Sequence, residues 1–408
     1  MLTIMHILLI HQAFASLDEP GGTRHHELAR QLCSQGHQVT IIASPVSYLT
    51  GNKKNQRVKK TTDDFGVVVI RSFTLSALHR SFFWRVFTFL SFMFSSIFNS
   101  LWVRDVDVVW GTTPPIFQAL SAWLAARLKG APLLLEVRDL WPAFAVAVGV
   151  LKNKTVIRLS ERLENFLYRH ADYVLVNSPG FVDHVKVRGA REVTVIPNGS
   201  DPDMFNPDDD GLAFRQKHGL VDKFVVLYAG AHGMSNDLGV LLESADLLKR
   251  EPSIRLVLIG DGKEKTSLQA EAATRDLDNL IFVPPIPKIE IPAALAASDA
   301  CLAILKPIEM YKTTYPNKVF DYMAAGRPVL LAIDGVIREV IEEAQAGVFV
   351  EPGSPEHLAE AIKDLAADPE KCRTMGLNGR IHIITRFSRK DMANQLTALL
   401  QTLWRRNA

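Results

Sequence analysis

Residues 299–329, DACLAILKPIEMYKTTYPNKVFDYMAAGRPV, bring together groups suited to holding a phosphate and a sugar. The apolar run Ala300–Leu305 reads as a buried strand, followed by a polar loop that ends at Pro316. A short helix over Asn317–Ala325 is then stopped by Gly326 and Pro328. A helix that begins just past a strand's carboxyl end offers unpaired N–H groups and the positive end of its dipole. Lys318 falls in its first turn and adds a cation, while Asp321 lies one turn deeper on the side of Asn317. Such an acid can accept hydrogen bonds from a ribose diol, so the stretch reads as a nucleotide-diphosphate cradle. The plainer alternative is a well-capped helix of any α/β protein.

Two glycine turns reinforce the first reading. Gly230-Ala231-His232-Gly233 and Gly260-Asp261-Gly262 each follow a candidate strand, on the same sheet edge as residues 316–326. In the first half, Gly21-Gly22 precedes an amphipathic helix over Thr23–Ser34. Paired glycines let backbone N–H groups approach a ligand. The spacing is not GxGxxG and no acid follows at the usual distance, which disfavours a dinucleotide. The segment Glu136-Val137-Arg138-Asp139-Leu140-Trp141-Pro142 closes a buried strand, where charges face the crevice of an open sheet. There Arg138 can fork onto a phosphate or carboxylate, and Asp139 can orient a sugar hydroxyl or act as a base. An internal Arg138–Asp139 pair is the structural alternative. Asp105-Val106-Asp107 reads as solvated charge at a strand entry, and His25-His26 as a solvated helix start. No His/Cys/Asp/Glu cluster has metal spacing, and neither a GxSxG nor a P-loop pattern occurs.

The elements that must position these residues alternate strand with helix almost throughout. Strand candidates are Ile4–Ile10, Gln38–Ala43, Val67–Ser72, Val106–Trp110, Pro132–Val137, Tyr173–Asn177 and Val193–Pro197. A second series runs Phe224–Ala229, Arg255–Ile259, Leu280–Val283, Ala300–Leu305, Val329–Ala332 and Gly347–Val350. Such alternation implies parallel, doubly wound sheets. The Pro/Asn/Gly/Asp cluster of Pro197–Asp210 separates two Rossmann-like domains, 1–197 and 198–386, and acts as a hinge. A last helix in 387–408 is expected to pack back toward the first domain.

At 408 residues, 48% apolar and 22% charged, the chain can bury a large core. A net charge of +2 argues against nucleic acid as a partner. Cys33, Cys301 and Cys372 are far apart and suit buried thiols of a reducing compartment. MLTIMHILLI lacks a basic start and a cleavage site, so a cytoplasmic location is expected. One segment breaks the α/β pattern. Seven of the 21 Phe lie from Phe82 to Phe98, and Val86–Val103 is eighteen residues without a charge. Segment 80–104 therefore reads as a helix lying in a bilayer interface. Arg80, Arg85, Arg104 and the basic run Lys53–Lys60 would face anionic lipid. A greasy buried helix, a membrane-spanning helix and a protein-association patch are the alternatives.

The fragments GGTRHHELARQLCSQGHQVTIIAS, LLLEVRDLWP, VIPNGSDPDMF, VVLYAGAHG, LVLIGDG and YPNKVFDYMAAGRPV resemble, in order, the family-four retaining glycosyltransferases. The resemblance is strongest to bacterial members that build cell-surface polysaccharides, and it runs nearly end to end. It implies a GT-B fold, two Rossmann-like domains facing a cleft. A nucleotide sugar would sit on the second domain and the acceptor on the first. It puts Asp321 at the second Glu of the family's paired-Glu motif, which grips the ribose, and Lys318 near the diphosphate. Gly230, His232, Gly233, Gly260 and Gly262 fall on the donor-pocket turns, and Gly21-Gly22 on the loop above the phosphates. Arg138-Asp139 takes the place of a His-Asp pair near the transferred sugar. The first Glu of the motif falls at Thr313, a loop shift away from Glu309. A usual Arg and Lys fall at Ala231 and Asn236, leaving Lys306, Lys318 or Arg138 to neutralise the diphosphate. The implied activity is retaining and metal-independent, needs no cofactor, and moves a hexosyl or N-acetylhexosaminyl group. A UDP-sugar would be the donor and a lipid-linked glycan the acceptor, at the inner face of the membrane. A non-catalytic partner subunit and a nucleotide-sugar 2-epimerase are the competing readings.

Overall fold

Continuous apolar runs become strands buried on both faces, as parallel sheets covered by helices require. The computed structural model describes residues 4–47, 60–76 and 82–407, with Phe82 and Phe83 by backbone only. Arg80 and the basic run before Lys60 lie outside the described residues. The chain divides into two compact units. One comprises residues 1–16, 21–197 and 390–408, the other residues 17–20 and 198–389.

In the first unit the strands are β1 (His6–Ile10), β2 (Gln38–Ala43), β3 (Lys60–Thr62), β4 (Val68–Arg71), β5 (Val108–Thr113), β6 (Leu133–Val137), β7 (Tyr173–Val176) and β8 (Val193–Val195). They lie in the order β3-β4-β2-β1-β5-β6-β7-β8, parallel except that β3 runs antiparallel to β4. The winding reverses between β1 and β5, so the carboxyl ends of that pair open the crevice where α/β sheets bind ligands. Ile7, Leu9, Trp110 and Leu134 form its core with Leu28 and Leu32 of the Arg24–Ser34 helix. The final helix, Arg389–Asn407, adds Met392, Leu396, Leu400 and Leu403 to that core. Trp404 Nε1 ties it to Asp107 Oδ1 at 3.0 Å. Asp107 also accepts the His6 N–H at 2.7 Å, so it locks a strand entry rather than meeting only water.

The second unit holds β9 (Phe224–Ala229), β10 (Ile254–Ile259), β11 (Leu280–Val283), β12 (Ala300–Ile304), β13 (Val329–Ala332) and β14 (Gly347–Phe349). All are parallel, in the order β11-β10-β9-β12-β13-β14, with the reversal between β9 and β12. Strand periodicity divides its core in two. Val225, Leu227, Val257, Ile259, Cys301 and Ala303 face one side, with Val319, Phe320 and Met323 of the Asn317–Ala324 helix. Val226, Tyr228, Leu256, Leu258, Leu302 and Ile304 face the other.

The Phe82–Leu101 helix reverses the usual amphipathic arrangement. It buries Thr88, Phe92, Met93, Ser96 and Ser100, yet leaves Trp84, Phe87, Phe94, Phe98 and Leu101 exposed. Trp102 just beyond is 73% exposed. Small hydroxyl residues face inward because they return their protons to the helix's own carbonyls, as Thr88 Oγ1 does to Trp84 at 2.9 Å. Among the described residues no helix is long and apolar enough to cross a membrane.

Candidate active site

In the second unit, the turns after β9 and β10 are zipped together. Gly230 N–H donates to Ile259 at 2.9 Å, His232 N–H to Asp261 at 2.8 Å, and Glu264 N–H to His232 at 2.9 Å. A Cβ on Gly260 would lie 1.9 Å from the Gly230 oxygen, and one on Gly262 2.4 Å from the His232 oxygen. These two glycines are thus required by backbone approach. Gly230 makes room for an amine instead, since a Cβ there would come within 2.6 Å of Lys318 Nζ. At Gly233 the nearest atom is 3.9 Å away, so no steric need for glycine exists.

Lys318 lies in the first turn of the Asn317–Ala324 helix, beyond β12 and beside β9. The residue is half-buried, and its amine is covered and sits 3.8 Å from the centroid of the Tyr228 ring. Among the described residues that amine has no hydrogen-bond partner, nor has Asn317 Oδ1 or either ring nitrogen of His232. Burial brings the Lys318 amine down to about 7. Burial also lowers His232 to about 4, with Lys265 and Lys318 adding and Asp261 opposing. A helix start, an unpartnered amine and an unpartnered imidazole therefore converge at the reversal point of this sheet. Lys306 stands at its edge, with its backbone N–H on Ser235 at 3.0 Å, and burial raises the Asp237 carboxyl against the opposing charge of Lys306.

The carboxylate of Asp321 has two partners within the second unit. Ser200 Oγ donates to Oδ1 at 2.8 Å, and Lys288 Nζ meets Oδ2 at 2.5 Å, both in buried surroundings. Its position one turn below Asn317 points it inward, and each carboxylate oxygen already accepts one hydrogen bond from within the second unit. Glu309 pairs with Lys312 at 3.0 Å, its side chain 85% exposed.

In the first unit, a buried carboxylate organises the reversal point between β1 and β5. Glu136 Oε1 receives Arg24 Nε at 2.9 Å, while Oε2 receives His25 Nε2 at 2.7 Å and Trp110 Nε1 at 3.1 Å. Burial would raise Glu136, but His25, Arg24 and Arg138 overcome it and hold the acid well below the usual carboxylate range. Burial brings His25 down to about 4 against the pull of Glu136. His25-His26 is therefore not a solvated helix start. Both rings are buried, and His26 Nε2 meets Asp63 Oδ2 at 2.8 Å. The Arg138 guanidinium crosses this cluster, with Nη1 3.4 Å from His11 Nε2 and Nη2 3.7 Å from where Gly22 would carry a Cβ. Gly21, at φ +144°, takes a backbone conformation that favours glycine. Burial pushes the Asp139 carboxyl up to about 7, against the Leu140 N–H and Arg138.

Two family models match nearly the whole chain: a glycosyl transferase 4-like domain over residues 21–199 and glycosyl transferases group 1 over residues 212–382. The chain is a glycosyltransferase built of these two domains. It is 27% identical over 361 residues to the putative colanic acid biosynthesis glycosyl transferase WcaI of Escherichia coli K12, spanning 84% of this chain and 88% of that protein. Among solved structures it matches a sucrose-phosphate synthase from Thermosynechococcus elongatus with a TM-score of 0.80 at 18% identity, over 98% of this chain and 99% of that one. Anabaena HepE, solved with UDP and glucose, matches with a TM-score of 0.72 at 18% identity, over 98% and 100% of the two chains. The two parallel-sheet units are those of the GT-B fold.

The glycosyltransferase thus carries one polar cluster at the reversal point of each sheet. Gly230, His232, Gly260, Gly262, Asn317 and Lys318 form the second-unit cluster, with Lys306 at its edge and Gly233 in the turn. Gly21, Gly22, Arg138 and Asp139 lie with the first-unit cluster. Sequence reasoning missed His11, Arg24 and His25 as members. A Glu inside the apolar run LLLEV, together with the Arg-His-His that follows the Gly-Gly turn, is the signal that a buried ion cluster joins them.

Proposed function

We propose that this glycosyltransferase retains anomeric configuration and moves a sugar from a UDP-sugar to a lipid-linked glycan during cell-surface polysaccharide synthesis, without a metal. The observation that carries the reading is the covered, unpartnered Lys318 amine at the start of the Asn317–Ala324 helix, between glycine turns. A diphosphate satisfies that amine and the helix-end N–H groups together, and both stabilise the charge that grows as the sugar leaves. Arg138 and Asp139 would meet the transferred sugar and acceptor, with Asp139 orienting hydroxyls rather than attacking. With no carboxylate assigned as nucleophile, the acceptor would attack from the face that the diphosphate leaves. The UDP and glucose held by HepE and the colanic acid role in WcaI's name support the donor and pathway classes. The aromatic outer face of the Phe82–Leu101 helix supports an acceptor held at an anionic membrane surface, where exposed rings lie at the headgroup level.

The experiment is a screen of UDP-sugars in EDTA with a lipid-extract acceptor, following release of UDP and the product's anomeric configuration. Retained configuration with EDTA present supports the reading, whereas inversion or a strict metal requirement contradicts it. Absence of turnover by folded protein that a partner restores favours the subunit reading. Flotation with anionic vesicles tests the membrane face. The unaltered protein should float, and a Phe87→Ser/Phe94→Ser variant should stay at the bottom.

A further inference from the structure

The network behind Arg138 leaves the His11 ring a single arrangement. It starts at two backbone groups whose roles are fixed. Gln118 Oε1 accepts the Gln12 N–H at 2.5 Å, and Gln118 Nε2 donates to the Pro114 carbonyl at 2.9 Å, which orients the amide. The same Nε2 donates to Thr112 Oγ1 at 2.8 Å. A hydroxyl has one proton, and Thr112 can give it to the Ile10 carbonyl at 3.4 Å. With the proton there, the remaining lone pair accepts from His11 Nδ1–H, 2.8 Å away. The other end of the ring demands the same tautomer. His11 Nε2 lies 3.4 Å from Arg138 Nη1, and a guanidinium can only donate, so Nε2 presents its lone pair.

The ring also stays neutral. Burial first, then His25 and Arg138, hold His11 well below the ordinary imidazole value, with Glu136 opposing. His25 stacks on it at 4.1 Å between centroids and is itself pinned by Glu136. A lone pair committed to a guanidinium is not available as a general base.

We propose that His11 is a positioning residue for Arg138: as the neutral Nδ1–H tautomer it accepts from the guanidinium and fixes it beside the Gly21-Gly22 turn. This rests on the reading that Arg138 meets substrate. The order of the network matches the fold, since His11 follows β1 and Thr112 lies at the carboxyl end of β5, the pair of strands between which the sheet reverses.

Nitrogen-15 NMR of the imidazoles in the full-length protein tests the contact without any substrate. The expected result is a neutral Nδ1–H His11 whose Nε2 resonance moves in Arg138→Ala. An Nε2–H tautomer, or an Nε2 resonance indifferent to Arg138→Ala, overturns the proposal. Turnover of UDP-glucose, UDP-galactose and UDP-N-acetylglucosamine supplies the functional arm. His11→Leu should lower kcat/KM on the order of tenfold to a hundredfold, the scale of a misplaced contact. His11→Gln, with an amide oxygen near the reach of Nε2, should restore most of it. In an Arg138→Ala background His11→Leu should cost less than about twofold, because the interaction is already gone. An undiminished loss there means that His11 acts through packing and overturns the inference. Full activity of Arg138→Ala overturns the reading of Arg138 and this inference with it. Absence of turnover with all three donors sinks the proposed function instead, and the tautomer measurement still decides the contact.

Discussion

Lys318 is expected to cost the protein stability, and the cost should depend on pH. The perturbation is Lys318→Met, which keeps the apolar stem over Tyr228 and deletes the amine. Burial brings that amine from 10.5 to about 7. Between those values the unfolded chain binds a proton that the folded one does not, so stability rises with pH through the window. Below about pH 7 both states are charged and the full penalty stands. A displacement of that size corresponds to a ceiling of about 5 kcal/mol. Because the residue is only half-buried, the ammonium can swing toward water for the loss of a rotamer and a ring contact, which should leave about 1–2 kcal/mol. The assay is urea unfolding of both proteins from pH 6.5 to 9.5, with no nucleotide present. Lys318→Met should be the more stable protein at pH 7, and the gap should close as the pH rises. A variant no more stable at pH 7, or a gap that does not change with pH, would refute the reasoning.

Other outcomes follow from the same geometry. Gly260→Ala drives a methyl into the Gly230 carbonyl at a φ of +149° and should lower stability by at least about 2 kcal/mol, read from its urea midpoint. Lys288→Met strands the Asp321 carboxylate and should cost about 3 kcal/mol or more, while Lys288→Met/Asp321→Leu should recover most of the loss. Because Asp139 is pushed up to about 7, its carboxylate is complete only above that pH. The kcat/KM profile should therefore rise through pH 7 in the unaltered enzyme and lose that limb in Asp139→Asn.

Much of the scaffold was legible because parallel strands announce themselves as unbroken apolar runs. Phe224–Ala229, Leu280–Val283 and Val329–Ala332 match the observed strands end to end. β3 went unread because Lys60-Thr61-Thr62 is short, polar and exposed, an edge strand made by pairing alone. β5 runs three residues past its expected end because Gly111, Thr112 and Thr113 are small enough to stay buried beside β6, with Gly111 against Ala122. The candidate sites were legible where strand ends and glycines mark them, as at Gly230 and Lys318. They were illegible where a charge is satisfied at long range. Glu136 meets partners at residues 24, 25 and 110, and Asp321 meets Lys288 and Ser200. Residue type alone sends histidine to solvent and frees an aspartate for a ligand. Only the folded chain shows that both are already engaged.

The central claim is a diphosphate site built around Lys318. Calorimetric titration of UDP, GDP and ADP into the protein in EDTA, alongside Lys318→Ala, tests it most directly. UDP should bind selectively without metal, and the substitution should weaken it. Binding that Lys318→Ala leaves unchanged, or no binding of any nucleotide by folded protein, would contradict it.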